Sequence, residues 1–334
     1  MKNLSFEDIS IGPLDEFTEL YAKIGFTISE NLSFEDIISI DTLDQLTELY
    51  AKRGFTISEK EMLPRLKQDW KRCRDEYFYH IHLKPDLIPN QVPSLDVLVD
   101  GVDYRIYGVV HAKNWSAEYN AIVSKTIENG KNWLHEQKMH TVFDLPKNSI
   151  EIPDHHLLTP TGYLRIFTDS MVNGFTSPIS IPLNKNKKYS KFKEKMMLSS
   201  LDMPFEAYHR PLPSYVKIQL NEKNKPAKYT PIQARSAYQA EFMKAWKVEG
   251  DKHILVGAMH APEIKYFLKY GVKDVSITDA AQEHALLSTE DPEKFAWLNK
   301  KSSLKTTLCA TAGYFGGLTA SSATLGYSVY SWVF

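Results

Sequence analysis

Apolar residues along the chain form short runs and helical stripes in the alternating order of an α/β protein. Residues 104–110 and 253–256 predict two β-strands, because each run is short and rich in apolar residues. Apolar residues then recur at helical spacing, namely Tyr119, Ile122, Val123 and Ile127 after the first run and Ile264, Phe267 and Leu268 after the second. Further strands are predicted at residues 132–137 and 274–278. Both segments therefore indicate βαβ units, whose strands are expected to lie parallel in a shared sheet.

The same short motif ends both of the first two strands. Residues 108–112 read Gly-Val-Val-His-Ala, and residues 257–261 read Gly-Ala-Met-His-Ala. The glycine permits a sharp turn at the strand end. The histidine then emerges at the carboxyl edge of the strand, where open α/β sheets place their ligand sites. His111 and His260 therefore predict one site that is built from two similar halves.

The segment YGVVHAKNWSAEYNAIVSKTIENGKNWLHEQ, which carries the first histidine, resembles the first motif region of the TraB/Tiki superfamily. That group is related to the erythromycin-esterase and ChaN-like proteins and to a domain of some large bacterial toxins. Its pattern is GxxH at a strand end, a strand carrying a glutamate, an arginine on a later helix and a second GxxH. This chain offers His111, Glu136, Arg235 and His260 in that order. The resemblance covers residues 95–285 and implies an α/β fold with a two-half EreA/ChaN/Tiki-like core.

The chemistry of these side chains is typical of hydrolysis. Two neutral imidazoles and a carboxylate, here His111, His260 and Glu136, can hold a divalent metal such as Mn, Co or Zn that acidifies a bound water. The resemblance implies this option, because Tiki-like members are metal-dependent peptidases. Without a metal, Glu136 would orient or deprotonate one histidine, which would act as the general base towards water. Arg235 would stabilise an oxyanion or hold an anionic group of the substrate.

Each of these residues also has a structural interpretation. The two histidines can be strand-end residues that hydrogen-bond to the backbone. His135 precedes Glu136, so a shift of one residue in strand register would turn the carboxylate to the other side of the sheet. Glu118 competes with Glu136 for the role of the carboxylate. For Arg235, the alternative is a salt bridge along its own helix, with Glu241 as the partner.

The sequence predicts a hydrolase of peptidase or esterase type that acts on a small-molecule or peptide substrate. An alternative of another class is a non-catalytic bacterial toxin or effector-type domain that binds a ligand or partner through the same cleft. Formal net charge is −1, so no chain-wide attraction to nucleic acid is expected. The first residues, MKNLSFEDIS, lack the apolar stretch of a secretory signal. The expected location is the cytoplasm, or outside the cell after export without a classical signal peptide.

The N-terminal residues 1–85 predict a helical module with an internal repeat. Residues 3–30 and 31–59 are nearly identical, apart from one inserted residue, and indicate a direct tandem duplication. A longer helix is expected to follow, because Ser58 and Glu61 form a capping-box pattern before an apolar stripe. Two interpretations remain open for this module, a docking or targeting arm and a helical cap packed on the α/β domain.

The α/β domain is expected at residues 90–300, with a variable insertion around residues 140–230. Short strands are predicted inside this insertion at residues 163–168 and 215–220. The insertion is expected to shape the substrate cleft.

The C-terminal segment, residues 301–334, is apolar and rich in glycine, serine and threonine. No charged residue follows Lys305, and Gly313 with Gly317 has the small-residue spacing of packed membrane helices. One interpretation is membrane contact through residues 308–334. The other is a buried glycine-rich helix followed by a terminal strand.

Overall fold

The computed structural model describes residues 32–33, 36–37, 39–56, 58, 61–62, 64–73, 91–110, 117–128, 132–137, 139, 142–157, 160–184 and 214–333. The chain divides into two compact units, residues 1–77 and 78–334. The first copy of the N-terminal duplication and the histidine of the first GxxH motif, His111, lie outside the described residues.

The described part of the first unit is helical. Helix α1, Leu43–Lys52, begins after Thr42, whose side chain accepts a hydrogen bond from the backbone of Gln45 in a capping box. At the start of the next helical stretch, the Glu61 carboxylate accepts a hydrogen bond of 3.1 Å from the backbone N–H of Ser58. The buried apolar residues of these helical segments are Leu46, Tyr50, Met62, Leu66, Trp70 and Cys73. The last four recur every three or four residues, as the apolar stripe predicted after Ser58 and Glu61 requires.

The second unit is mixed α/β and contains a five-stranded sheet in the order β1-β2-β5-β3-β4. The strands are β1 Ser94–Val99, β2 Val102–Val109, β3 Trp133–Glu136, β4 Ile150–Ile152 and β5 Lys252–Gly257. Strand β5 is parallel to both β2 and β3, and β3 is parallel to β4. The predicted parallel arrangement of the two GxxH strands is confirmed. Strand β1 is antiparallel to β2 and is the outermost strand on that side of the sheet.

Helices connect and follow the strands of this sheet. They are α2 Ala117–Glu128, α3 Pro160–Asn184, α4 Ser214–Glu222, α5 Pro231–Ala245, α6 Ala261–Tyr270, α7 Val275–Glu290 and α8 Pro292–Val333, with a 3-10 helix at Asp154–Leu157. Helix α6 ends at Gly271, whose φ of 79° is readily adopted by glycine alone. The predicted apolar stripes of α2 and α6 are buried, and the α2 stripe packs with β2, β3 and β5 in one core cluster.

Three predicted strands are helical instead. Residues 163–168 lie in α3, residues 215–220 lie in α4, and residues 274–278 form the start of α7. Asp274 explains the last case, because its side chain accepts a hydrogen bond of 3.0 Å from the backbone N–H of Ser276 and caps the helix. Short apolar runs with β-branched residues are compatible with a strand and with a helix, and capping and packing decide which of the two forms.

The predicted terminal strand is also wrong, because helix α8 continues to Val333.

Helices α3 and α8 pack closely through glycines. A Cβ atom built at Gly174, Gly313 or Gly317 would collide with a backbone carbonyl oxygen of the opposite helix. Among the described residues, no helix combines the length and the apolar character that crossing a membrane requires.

Candidate functional site

The carboxyl ends of three parallel strands meet at one edge of the sheet. Val109, the last residue of β2, pairs with Gly257, the last residue of β5. The backbone N–H of Ala258 then donates a hydrogen bond of 3.0 Å to the carbonyl oxygen of Val109. Glu136 ends the neighbouring strand β3. The sheet therefore brings Glu136 beside the turn that carries the second GxxH motif, as the parallel topology predicts.

Glu136 points into this edge of the sheet. Its Oε2 accepts a hydrogen bond of 2.7 Å from the backbone N–H of Gly257, and its Oε1 accepts one of 2.5 Å from Nη2 of Arg235. The residue is 4% exposed, whereas Glu118, the competing carboxylate on α2, is exposed. The glycine at the strand end thus has a second role, since its backbone N–H holds the carboxylate directly.

Arg235 lies on α5 and is held by two carboxylates. Its Nε and Nη2 donate to Oδ2 of Asp154 at 2.9 and 2.7 Å, in addition to the bond to Glu136. Burial acts to lower the pKa of Arg235, but the charges of Asp154 and Glu136 outweigh burial and raise it above its usual value. Glu241, the alternative partner on the same helix, is bridged to Lys244 instead. The guanidinium is therefore a fixed positive charge at the sheet edge.

Asp154 is a member of this cluster that the sequence did not indicate. It follows β4, is fully buried, and its Oδ2 also accepts a hydrogen bond of 2.6 Å from Gln239. The local sequence around it, Ile-Glu-Ile-Pro-Asp at residues 150–154, carries no motif for such a role, so the pairing of β4 with β3 brings Asp154 to the site. Within the region assigned to a variable insertion, this residue belongs to the site and β4 belongs to the sheet.

His260 lies at the start of α6, and its two ring nitrogens lie near Glu136 and Ser236. Its Nε2 lies 3.5 Å from Oε1 of Glu136. Its Nδ1 lies 2.8 Å from Oγ of Ser236, and that hydroxyl donates a hydrogen bond of 2.6 Å to Glu263. The backbone N–H of His260 donates to the carbonyl oxygen of Gly257 at 2.8 Å. The imidazole is thus placed between a carboxylate at the sheet edge and a buried polar pair.

Three buried carboxylates share this region with one guanidinium. Glu136, Asp154 and Glu263 are each less than a twentieth exposed, and His260 is 5% exposed. Buried charges are stable only when they are paired or hydrogen-bonded. The imidazole is the basic group that can take up a further proton here. The arrangement therefore suits proton transfer at His260, with the resulting positive charge facing carboxylates.

Two of the three expected metal ligands, His260 and Glu136, lie close together at this edge. A spacing of 3.5 Å between Nε2 of His260 and Oε1 of Glu136 could be bridged by one ion, but that oxygen already binds the guanidinium of Arg235. Within the described part of the chain, no group of three or more His, Cys, Asp or Glu residues is arranged to hold a metal. The third expected ligand, His111, lies outside the described residues.

Three of the four expected site residues, Glu136, Arg235 and His260, come together at the sheet edge. Their neighbours Asp154, Ser236 and Glu263 join them through tertiary contacts that local sequence patterns do not contain. Comparison of the chain with protein-family models, curated proteins and solved structures finds no match.

Proposed function

We propose that this protein is a hydrolase that activates water at His260. The observation that carries the proposal is the convergence of Glu136, Arg235 and His260 at the carboxyl edge of the parallel sheet, although they lie far apart in the sequence. A base, an orienting carboxylate and a fixed cation are the groups that water-dependent acyl cleavage needs. The edge where they meet is the usual ligand position of such sheets.

In the proposed reaction, a water oxygen attacks the carbonyl carbon of an ester or amide, and the water proton passes to Nε2 of His260. Glu136, 3.5 Å from that nitrogen, stabilises the imidazolium that forms. The carbonyl oxygen becomes an oxyanion, which Arg235 stabilises. The intermediate then collapses, the bond to the leaving group breaks, and that group takes the proton from His260.

The guanidinium of Arg235 has capacity for this role. Its side chain is 15% exposed, whereas that of Asp154 is completely buried. Its Nη1 atom donates a hydrogen bond to none of the residues that the structure describes, while Nε and Nη2 hold the carboxylates. The two carboxylates therefore fix the orientation of Arg235, and the remaining nitrogen can meet an oxyanion.

The proposal includes membership of the TraB/Tiki superfamily with an EreA/ChaN-like core. Its support is the order of the motif residues along the chain, together with the parallel pairing of the two GxxH strands and the contact of Glu136 with Arg235. On this basis the substrate class is a peptide, ester or lactone.

The test is turnover of fluorogenic ester, lactone and peptide panels by the wild-type protein and two matched variants. Glu136→Gln is expected to lower turnover about 100-fold or more, because the imidazolium loses its carboxylate. Glu118→Gln, which changes an exposed glutamate, is expected to retain turnover. Absence of turnover on all three substrate classes, or full activity of Glu136→Gln, would overturn the proposal.

A metal-dependent form of the same hydrolase makes a different prediction. It requires His111 and His260 to bind Mn, Co or Zn with Glu136. Elemental mass spectrometry of the wild-type protein and of the His111→Ala/His260→Ala double variant separates the two forms. Near-stoichiometric metal that disappears in the double variant would replace the metal-free mechanism. Metal-free protein that turns over substrate after chelation would establish the metal-free mechanism.

A second candidate function is a non-catalytic toxin or effector-type domain that binds a ligand or partner in the same place. The observation that favours it is the pairing of Arg235 with two carboxylates, since structural ion-pair networks have the same appearance. For such a domain, His260→Ala would leave function unchanged, and Arg235→Ala would act only through stability. Turnover that depends on His260 at unchanged thermal stability excludes this candidate.

A further inference from the structure

We propose that Ser236 and Glu263 are positioning residues that fix the tautomer of His260, with the proton on Nδ1 and the lone pair on Nε2. This inference rests on the proposed function, because it concerns the nitrogen that receives the water proton. Ser236 lies on α5 and Glu263 lies in the first turn of α6, and both are completely buried. Neither belongs to the GxxH pattern.

The hydrogen-bond distances identify the donors. The Ser236 hydroxyl has one proton and three neighbours: Oε2 of Glu263 at 2.6 Å, Nδ1 of His260 at 2.8 Å and the carbonyl oxygen of Ile232 at 2.9 Å. The shortest distance has the length of a hydroxyl that donates to an ionised carboxylate. If the hydroxyl donates to Glu263, the imidazole must donate to Ser236 from Nδ1. Donation to Ile232 also leaves Nδ1 as the donor.

Two features of the geometry suit the Glu263 carboxylate as a hydrogen-bond acceptor. Its position in the first turn of α6 places the carboxylate at the positive end of the helix macrodipole. The Ser236 hydroxyl supplies a hydrogen bond to the charge. Because the Ser236 hydroxyl donates its proton to Glu263, Nδ1 of His260 keeps its own proton and donates to the hydroxyl oxygen.

The opposite ring nitrogen then has the lone pair that a general base needs. In a histidine, the hydrogen bond made by one nitrogen sets the protonation of the other. Nε2 of His260 lies on the side of Glu136, where the proposed water reacts. After proton transfer, Glu263 stabilises the imidazolium through Ser236, while Glu136 stabilises it on the opposite side. The two carboxylates therefore act on different nitrogens of one ring.

The test is NMR of the full-length protein labelled with ¹⁵N-histidine, recorded at neutral and at alkaline pH. The signals of His260 are assigned by comparison with His260→Gln. The wild-type protein is expected to show a protonated Nδ1 and an unprotonated Nε2. A proton on Nε2 in the wild-type protein would overturn the proposal without reference to any variant.

Two isosteric or smaller changes test the origin of the tautomer. Glu263→Gln can donate to Ser236 from its amide, and Ser236→Ala removes the hydroxyl, so both are expected to shift His260 towards the Nε2–H tautomer. Ser288→Ala is the control, because the Ser288 hydroxyl is also buried but donates to the carbonyl oxygen of Ala285. An unchanged His260 tautomer in both Glu263→Gln and Ser236→Ala would contradict the proposal.

Kinetics separates this inference from the proposed function. Glu263→Gln is expected to lower kcat about 100-fold with little change in KM, because it affects the base and does not touch the substrate. The expected tautomer in a protein without turnover would support the positioning role of Ser236 and Glu263 and contradict hydrolysis. Turnover by a protein with the proton on Nε2 would support hydrolysis and contradict that positioning role.

Discussion

At the scale of single residues, the site depends on a buried ion-pair network that joins Arg235 to Asp154 and Glu136. Asp154 is completely buried, and both its neighbours Arg235 and Gln239 donate to the same carboxylate oxygen. Loss of the Asp154 charge leaves Arg235 paired with Glu136 but weakens the charge-assisted hydrogen bonds from Arg235 and Gln239, and buried bonds of this kind contribute more to stability than an exposed ion pair does. Arg105 and Asp251 provide the exposed comparison, with side chains 43% and 45% exposed.

We therefore expect Asp154→Asn to lower the free energy of unfolding by about 1.5–3 kcal/mol, the usual contribution of hydrogen bonds to a charged group. Asp251→Asn, which breaks the exposed pair, is expected to lower it by about 0–1 kcal/mol. Urea denaturation followed by circular dichroism measures both differences. Equal effects of the two substitutions would show that the Asp154–Arg235 pair is not the buried network described above.

His253 is a buried histidine at the opposite end of β5 and gives stability a pH dependence. Its ring packs beside those of Tyr107 and Trp133, and its Nδ1 has no hydrogen-bond partner among the described residues. Burial lowers the pKa of His253, and the charge of Arg105 lowers it further, although Asp251 acts in the opposite direction. The unfolded chain therefore binds a proton at a higher pH than the folded chain does.

The contribution of His253 to stability is consequently complete above a pH of about 6.5, the ordinary histidine pKa. It is lost progressively as the pH falls from there through the lower folded-state pKa. We expect His253→Phe, which keeps a ring beside the same aromatic neighbours, to reduce the loss of stability between pH 8 and pH 5. Denaturation midpoints at both pH values test this, and an unchanged pH dependence would contradict it.

The residues of the site differ in how far the sequence could indicate them. Glu136, Arg235 and His260 occupy motif positions, so pattern and chemistry pointed to them. Asp154 is different, because its role follows from the pairing of β4 with β3, a tertiary contact without a local signal. The roles of Ser236 and Glu263 arise when α5 and α6 pack together around His260.

At the scale of elements, the contact between α3 and α8 depends on individual glycines. A Cβ at Gly317 would collide with the backbone of Met171, whereas a Cβ at Gly316 would meet nothing within 4 Å. These neighbouring residues of one helix are therefore a matched pair. They separate close helix packing from the general effect of replacing a helical glycine.

We expect Gly317→Ala to lower the free energy of unfolding by about 1–3 kcal/mol, because the two backbones must move apart. Gly316→Ala is expected to raise it by about 0.5–1 kcal/mol, since alanine is the better helix former. Thermal unfolding compares the two variants. A stabilising Gly317→Ala would refute close packing at this position.

The elements also show why local patterns identified some structures and missed others. The strands of the two GxxH motifs and the helices after them combine a clear apolar period with glycine at the boundaries, so both were predicted. The run of residues 215–220 fits a strand by its alternation, yet it forms α4. For α8, the aromatic and β-branched residues near the C-terminus indicated a strand, although the helix continues through them.

At the scale of the whole molecule, the second unit combines widely separated parts of the chain. Strand β5 lies between β2 and β3 and therefore connects the two motif halves in one sheet. Helix α5 supplies two adjacent residues of the site, of which Arg235 donates to Glu136 and Ser236 donates to Glu263. The topology thus assembles the base, the carboxylates and the guanidinium at one edge. Charge balance and hydrogen bonding then give His260 its proposed chemical role.

The most direct test of that role compares turnover by His260→Gln and His284→Gln at matched thermal stability. Nδ1 of His284 lies 2.6 Å from the hydroxyl of Tyr238 on the same helix α5, so His284 is a hydrogen-bonded histidine outside the proposed reaction. We predict that His260→Gln lowers turnover about 10²–10⁴-fold, the usual contribution of a general base, and that His284→Gln retains it. Retained turnover in His260→Gln, or equal loss in both variants, would contradict water activation at His260.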